Sequence, residues 1–157
     1  MKNNKGFSLV ELIIVIAIMA ILVGVMAPQL IKYIEKSKVS ADTQLADSVH
    51  TAVLTAMMDP EIVNWTGYNS EFSTYTATTL TNITSLSTAT PGSIASGACE
   101  ILGVNNGNQV VGSLKSTGAN GVEFRVTGNN RVSVVVTGSD STGSKNANGT
   151  GKEIVVQ

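Results

Sequence analysis

Hydrophobic residues crowd into the first fifth of the chain and then thin out in two distinct rhythms. No residue from Leu12 to Ile31 carries a formal charge. Counted from Phe7, about 25 residues hold one ionisable side chain, Glu11, and at ~1.5 Å of rise per residue such a helix spans the ~30 Å hydrocarbon core of a bilayer. After Ile31 the pattern becomes amphipathic without a break. Lys32, Glu35, Lys36 and Lys38 appear, and Ala41, Leu45, Val49, Ala52, Val53 and Ala56 recur at helical spacing on one face. Asp47, Thr51 and Thr55 fall on the opposite face. Asp59-Pro60 ends the run, because proline biases the residue before it away from the helical region. The spacing therefore predicts one helix from Ser8 to Met58, about 50 residues and roughly 75 Å long. A small domain has no use for so much helix, so its N-terminal half must be covered by something else.

The second rhythm has a period of two. Val122-Glu123-Phe124-Arg125-Val126-Thr127 alternates strictly, Arg131 to Thr137 nearly does, and Gly128-Asn129-Asn130 between them is turn material. This predicts a hairpin, with Val110-Val111 and Ile154-Val155-Val156 as third and fourth strands. An antiparallel sheet covering the Ala41–Met57 stripe gives an α+β head. Residues 59–98 read as loop, with a short helix near Leu80 to Leu86 and another from Ser93 to Leu102. Trp65, Tyr68, Phe72 and Tyr75 either anchor that loop or form a surface patch.

Composition narrows the functional classes. The 157 residues include one histidine and one cysteine, and the net charge is −1. An intramolecular disulfide is impossible, and Cys99 reads as a buried, inert thiol. His50, opposite the apolar stripe, reads as solvated or as a subunit-interface residue. There is no phosphate loop, nucleophile motif or metal-ligand spacing, so no catalytic residue, cofactor or metal is nominated. Lys115, Arg125, Arg131, Lys145 and Lys152 are too scattered to suggest a nucleic-acid partner.

Two features of the apolar helix carry physical tension. A carboxylate at a bilayer centre costs roughly 2.5–3.5 kcal/mol, less near the interface, so Glu11 calls for a partner or a purpose. Ser8-Leu9-Val10-Glu11 fits a capping box, in which the glutamate bonds back to the N-cap amide. Gly24 and Pro28 sit four apart, and a helical proline removes its own N–H and presses on the carbonyl four residues earlier. That pair is either a tolerated kink or a weak point that opens when helices pack. An ordinary secretory signal peptide cut after Val25-Met26-Ala27 fits less well. Its apolar region would be too long and would contain Glu11.

Lys5-Gly6-Phe7-Ser8-Leu9-Val10-Glu11, with Pro28 further on, resembles the processing site and N-terminal helix of a type IV pilin. The resemblance is specific over about the first 30 residues; beyond them only the general plan matches. It implies a pilin fold, a long N-terminal helix packed on a small antiparallel head. Residues 1–6 would be the prepilin leader, 7–31 the transmembrane and assembly half of the helix, and 32–157 the head (helix 32–58, loop 59–98, sheet and C-terminal loop 99–157). A prepilin peptidase would cut between Gly6 and Phe7, Phe7 would be N-methylated, and Glu11 would meet the Phe7 amine of a neighbouring subunit. Gly24 and Pro28 would mark the weak point.

The resemblance further implies a single-pass precursor in the cytoplasmic membrane, N-terminus inside, drawn into a homopolymeric surface pilus by an assembly ATPase and platform protein. Motility, adhesion or biofilm would be its use. A pseudopilin of a type II secretion or DNA-uptake apparatus, or a minor adhesive pilin, shares the plan. Lacking the disulfide of many Gram-negative pilins, the chain looks more like those of Gram-positive bacteria such as clostridia. The corresponding loop binds calcium in secretion pseudopilins, but only Asp140 within Ser139–Lys152 and Glu153 beside it are carboxylates. It reads as a solvated surface loop.

Overall fold

The computed structural model describes residues 8–76, 81–127 and 131–138, and the backbone of 154–156. The hairpin turn 128–130, the loop 139–152, the leader and the Gly6–Phe7 junction lie outside the described residues. Two compact units divide the chain, Met1–Lys36 and Ser37–Gln157.

Helix α1 runs from Leu9 to Met58 with Pro28 inside it, as the hydrophobic pattern predicts. Its end and the next helix share one device. Asp59 takes an extended backbone, its carboxylate accepts from the Glu61 amide at 2.8 Å, and Pro60 opens α2, Pro60–Val63. Proline suits a first helical position, where its missing N–H would have had no partner. Thr43, Ser48 and Thr51 return their hydroxyls to the carbonyls of Val39, Gln44 and Asp47. The Ser- and Thr-rich stretch of α1 thereby satisfies its own polar groups.

Within 59–98 the chain is more ordered than a loop. It forms α2, then α3 at Tyr68–Tyr75, a two-residue strand β1 at Thr81–Asn82 and a 3-10 turn at Ile83–Ser85. The short helix expected near 80–86 is that strand and turn; Leu80 lies outside the described residues. Helix α4, Ile94–Leu102, forms as expected after the Ser93 cap and ends on Gly103 with φ +68°, a left-handed conformation that glycine adopts without penalty.

Val110-Val111, expected as a strand, belongs instead to helix α5, Gly107–Val111. Its start is fixed by asparagine chemistry: the Asn106 side chain accepts from the Asn108 amide, and the Asn105 amide donates to Gln109 Oε1 at 2.7 Å. Gly107 comes so close to the Ile83 carbonyl that a Cβ there would overlap it.

Strands β2 (Ala119–Thr127), β3 (Arg131–Gly138) and β4 (Ile154–Val156) complete an antiparallel sheet in the order β1-β2-β3-β4. The predicted hairpin is in register, with Val122 opposite Val136, Phe124 opposite Val134 and Val126 opposite Val132. Those six side chains join Ala46, Val49, Val53, Ala56 and Met57 of α1 in one buried core. The head is thus the expected α+β arrangement of helix on antiparallel sheet. The buried stripe is shifted from the expected one: Ala46 and Asp42 are inside, while Ala41 and Leu45 are half-buried.

Candidate functional site: the N-terminal helical segment

In the N-terminal unit the first turn of α1 is built by the capping-box residues. The Ser8 amide donates to Glu11 Oε2 at 2.9 Å, and the Ser8 carbonyl accepts from the Leu12 amide at 3.3 Å. A carboxylate near a helix N-terminus also faces the positive end of the backbone dipole. Glu11 is exposed. A carboxylate offers about four acceptor positions, so a single bond from Ser8 leaves it capacity for a further donor.

Along the segment the apolar side chains point outward, with Leu9 72%, Leu22 54% and Ile31 68% exposed. The segment is long and apolar enough to cross a membrane, and none of its most apolar stretch is covered by the rest of the chain. Pro28 has no N–H to offer the Gly24 carbonyl. A Cβ at Gly24 would meet nothing within 4 Å, so no packing in the isolated chain requires glycine there. At the polar end of the segment Lys36 Nζ lies 5.9 Å from the Tyr33 ring centroid. Of the nominated residues, Glu11, Gly24 and Pro28 thus lie on one helix; Gly6 and Phe7 are outside the described residues.

The head holds two carboxylates that the sequence patterns did not single out. Asp42, 1% exposed, accepts from the amides of Lys115 and Ser116, each at 2.8 Å, and from the Ser116 hydroxyl. A charged residue in a buried helical series with Ala46, Val49 and Val53 was the one available signal. Glu71 on α3 reaches the start of α4, where Oε2 accepts from the Ile94 amide at 2.8 Å and Oε1 from the Ala95 amide at 2.9 Å. Those amides have no carbonyl partner within their own helix. Glu71 Oε1 also accepts from the Tyr75 hydroxyl at 2.9 Å.

Tyr75 packs on Phe124 with ring centroids 5.0 Å apart. Burial first, then the neighbouring Glu71 charge, raises its pKa above the ordinary tyrosine value. Tyr68 stacks on Phe72 and donates to the Met57 carbonyl, so three of the four aromatics anchor their segment. Cys99 is buried and free, its thiol pKa pushed up by burial; His50 is half-buried. Among the described residues no group of His, Cys, Asp and Glu is placed to hold a metal ion.

Comparison with known proteins bears on the same segment. Residues 1–27 match the family described as the prokaryotic N-terminal methylation motif. Over 71 residues the chain is 38% identical to a type IV major fimbrial protein FimA of Dichelobacter nodosus, covering 42% of this chain and 46% of that protein. It is 44% identical over 55 residues to a fimbrial protein of Moraxella nonliquefaciens, covering 35% of this chain and 36% of that one. The matched region therefore spans less than half the length of these curated relatives. No solved structure matches. The methylation motif, the α+β fold and the fimbrial relatives support a type IV pilin, as the resemblance at residues 5–11 implied.

Proposed function

We propose that the chain is the structural subunit of a type IV pilus, held in the membrane by its N-terminal helix and then polymerised into a surface filament. The observation that carries this reading is the exposed, uncharged face of α1 from Leu12 to Ile31 with Glu11 at its start. Such a surface is stable in lipid, and it is equally stable among copies of itself, since leaving lipid for apolar neighbours has little hydrophobic cost. A prepilin peptidase cuts between Gly6 and Phe7, and Phe7 is N-methylated. Methylation leaves the amine basic, with an ordinary pKa near 7.7–8.0.

The Phe7 amine of one subunit docks against Glu11 of its neighbour, using acceptor capacity beyond the bond to Ser8. The pair selects register, because a charge moved from water into an apolar bundle needs its counter-charge. Gly24 and Pro28 form the weak point of the helix, where one backbone hydrogen bond is already missing. The membrane-embedded subunits are partners for an assembly ATPase and its platform protein. The major-fimbrial names of the relatives favour a long filament over the short one of a secretion pseudopilin, and a structural role rather than an enzymatic one.

Glu11→Ala tests this reading. Alanine is cheaper than a carboxylate in lipid, so membrane insertion should equal or exceed wild type while sheared filament falls to background. A capping role alone predicts a loss of about 0.5–2 kcal/mol confined to the first helical turn, with filaments still made. Normal filament yield from Glu11→Ala, with N-terminal sequencing showing a start at Phe7, rules out the intermolecular pair. A filament protein starting at Met1 or Pro28 rules out the processing.

A further inference from the structure

Trp65, the fourth aromatic of its segment, is only half-buried and does not join the core. Its indole ring lies along the backbone of two glycines. A Cβ at Gly67 would overlap the six-membered ring, and one at Gly92 would sit 3.6 Å from Cδ1. Backbone hydrogen bonds hold the Trp65 main chain on both sides: its amide donates to the Ile62 carbonyl at 3.0 Å, and its carbonyl accepts from the Tyr68 amide at 3.0 Å.

The ring forms one wall of a groove of about 370 Å³, within the roughly 300–1,000 Å³ range of small-molecule sites. Ser70, Ser85, Ser87 and Thr90 line it with hydroxyl-bearing side chains, and Glu71 lies along its side. Among the described residues no lysine or arginine lines it, which disfavours phosphate and carboxylate ligands. Ser87 Oγ already accepts from the Ala89 amide at 3.1 Å, so its O–H is left to donate. Glu71 Oε1 accepts twice and Oε2 once, leaving acceptor capacity on Oε2.

We propose that this groove is a binding site for a neutral carbohydrate. The match is chemical. A pyranose presents C–H groups on one face, which meet the electron-rich face of an indole, and a rim of hydroxyls that donate and accept as serine and threonine do. Glu71 takes a sugar O–H while continuing to cap α4. The room suits a hexopyranose with a neighbouring residue. The site is independent of the filament reading, since every group in it belongs to the head.

Trp65 is the single tryptophan of the chain, so emission excited at the red edge, where tyrosine does not absorb, reports on the site alone. The full chain, held in a sugar-free zwitterionic detergent, is titrated with the methyl glycosides of glucose, galactose, N-acetylglucosamine and N-acetylgalactosamine. At least one should shift the emission saturably, in the millimolar range expected of a shallow groove, while the same concentration of glycerol leaves it unchanged. Saturation-transfer NMR on that sugar should give a signal that Trp65→Ala abolishes and Trp65→Phe weakens. Ser85→Ala combined with Thr90→Val, two exposed positions, should weaken binding about 3- to 10-fold. Silence from all four glycosides overturns the proposal, as does unaltered binding by Trp65→Ala. If Trp65→Ala loses its circular dichroism, the double variant decides, and wild-type affinity there overturns it equally.

Discussion

The two units of this chain solve the problem of apolar surface in opposite ways. In Ser37–Gln157 the stripe of α1 is covered by the chain's own sheet, and Ala46, Val49 and Val53 are wholly buried beside Phe124 and Val134. In Met1–Lys36 the same helix carries larger residues, Leu, Ile and Met, and leaves them exposed. Small side chains predominate where the helix meets its own sheet; large ones predominate where the chain leaves it uncovered. The difference is one of destination. The head covers its own apolar stripe, and on the proposed function the N-terminal unit has its stripe covered from outside the chain.

The strongest way to break this contrast is to separate the units. Residues 37–157 expressed alone should unfold cooperatively in denaturant, and Phe124→Ala should lower their stability by about 3–5 kcal/mol, the usual cost of emptying a buried aromatic site. In the full chain in detergent, Leu22→Ala should leave head unfolding unchanged. An unfolded 37–157 fragment, or a head that weakens with Leu22→Ala, defeats the comparison.

A smaller effect is expected at Asp42. Asp42→Ala strands the buried Ser116 amide and hydroxyl and the part-buried Lys115 amide, and should cost about 2–3 kcal/mol. Asp42→Asn keeps an acceptor and should cost less. Equal stability of wild type and Asp42→Ala in urea unfolding would show that water replaces the carboxylate freely.

The smallest effect is at Tyr75. Tyr75→Phe removes the bond to Glu71 and should cost about 0.5–1.5 kcal/mol near neutral pH. Because the folded state raises the Tyr75 pKa, its contribution is complete below the ordinary tyrosine value of about 10. It is lost as pH climbs towards the folded value, since the unfolded chain gives up that proton first. Tyr75→Phe should therefore flatten the alkaline fall in stability. Cys99, raised from 9.0 by burial, acts with the same sign and keeps part of the fall in place. An unchanged alkaline limb in the variant would contradict the burial of the hydroxyl.

Long periodic signals were legible in the sequence and short or tertiary ones were not. The pattern located α1 to within a residue at each end, and the alternation at 122–127 and 131–137 marked the two strands of the hairpin. Helix α5 was misread because two adjacent valines favour a strand on propensity, whereas Asn105 and Asn106 impose a helical turn through side-chain bonds. Strand β1 is two residues long, too short to carry a period. In the nominated segment the Ser8–Glu11 bond and the place of Pro28 inside the helix were legible because both are local to one helix. Asp42 and Glu71 were not, because the amides they hold at Lys115 and Ile94 lie 73 and 23 residues away, and backbone groups look alike in any sequence.

That anonymity has a consequence for how the surface of this protein can drift. At positions 115, 94 and 95 the groups held by Asp42 and Glu71 are peptide amides, and an amide is the same beneath nearly every side chain. The connection leading into β2 can therefore exchange Lys115 for another residue, and keep its attachment to α1, so long as proline is avoided. A head built this way separates what is seen from what is fastened. Its outer chemistry can be rewritten residue by residue over generations while the buried Asp42 and the half-buried Glu71 keep the same grip.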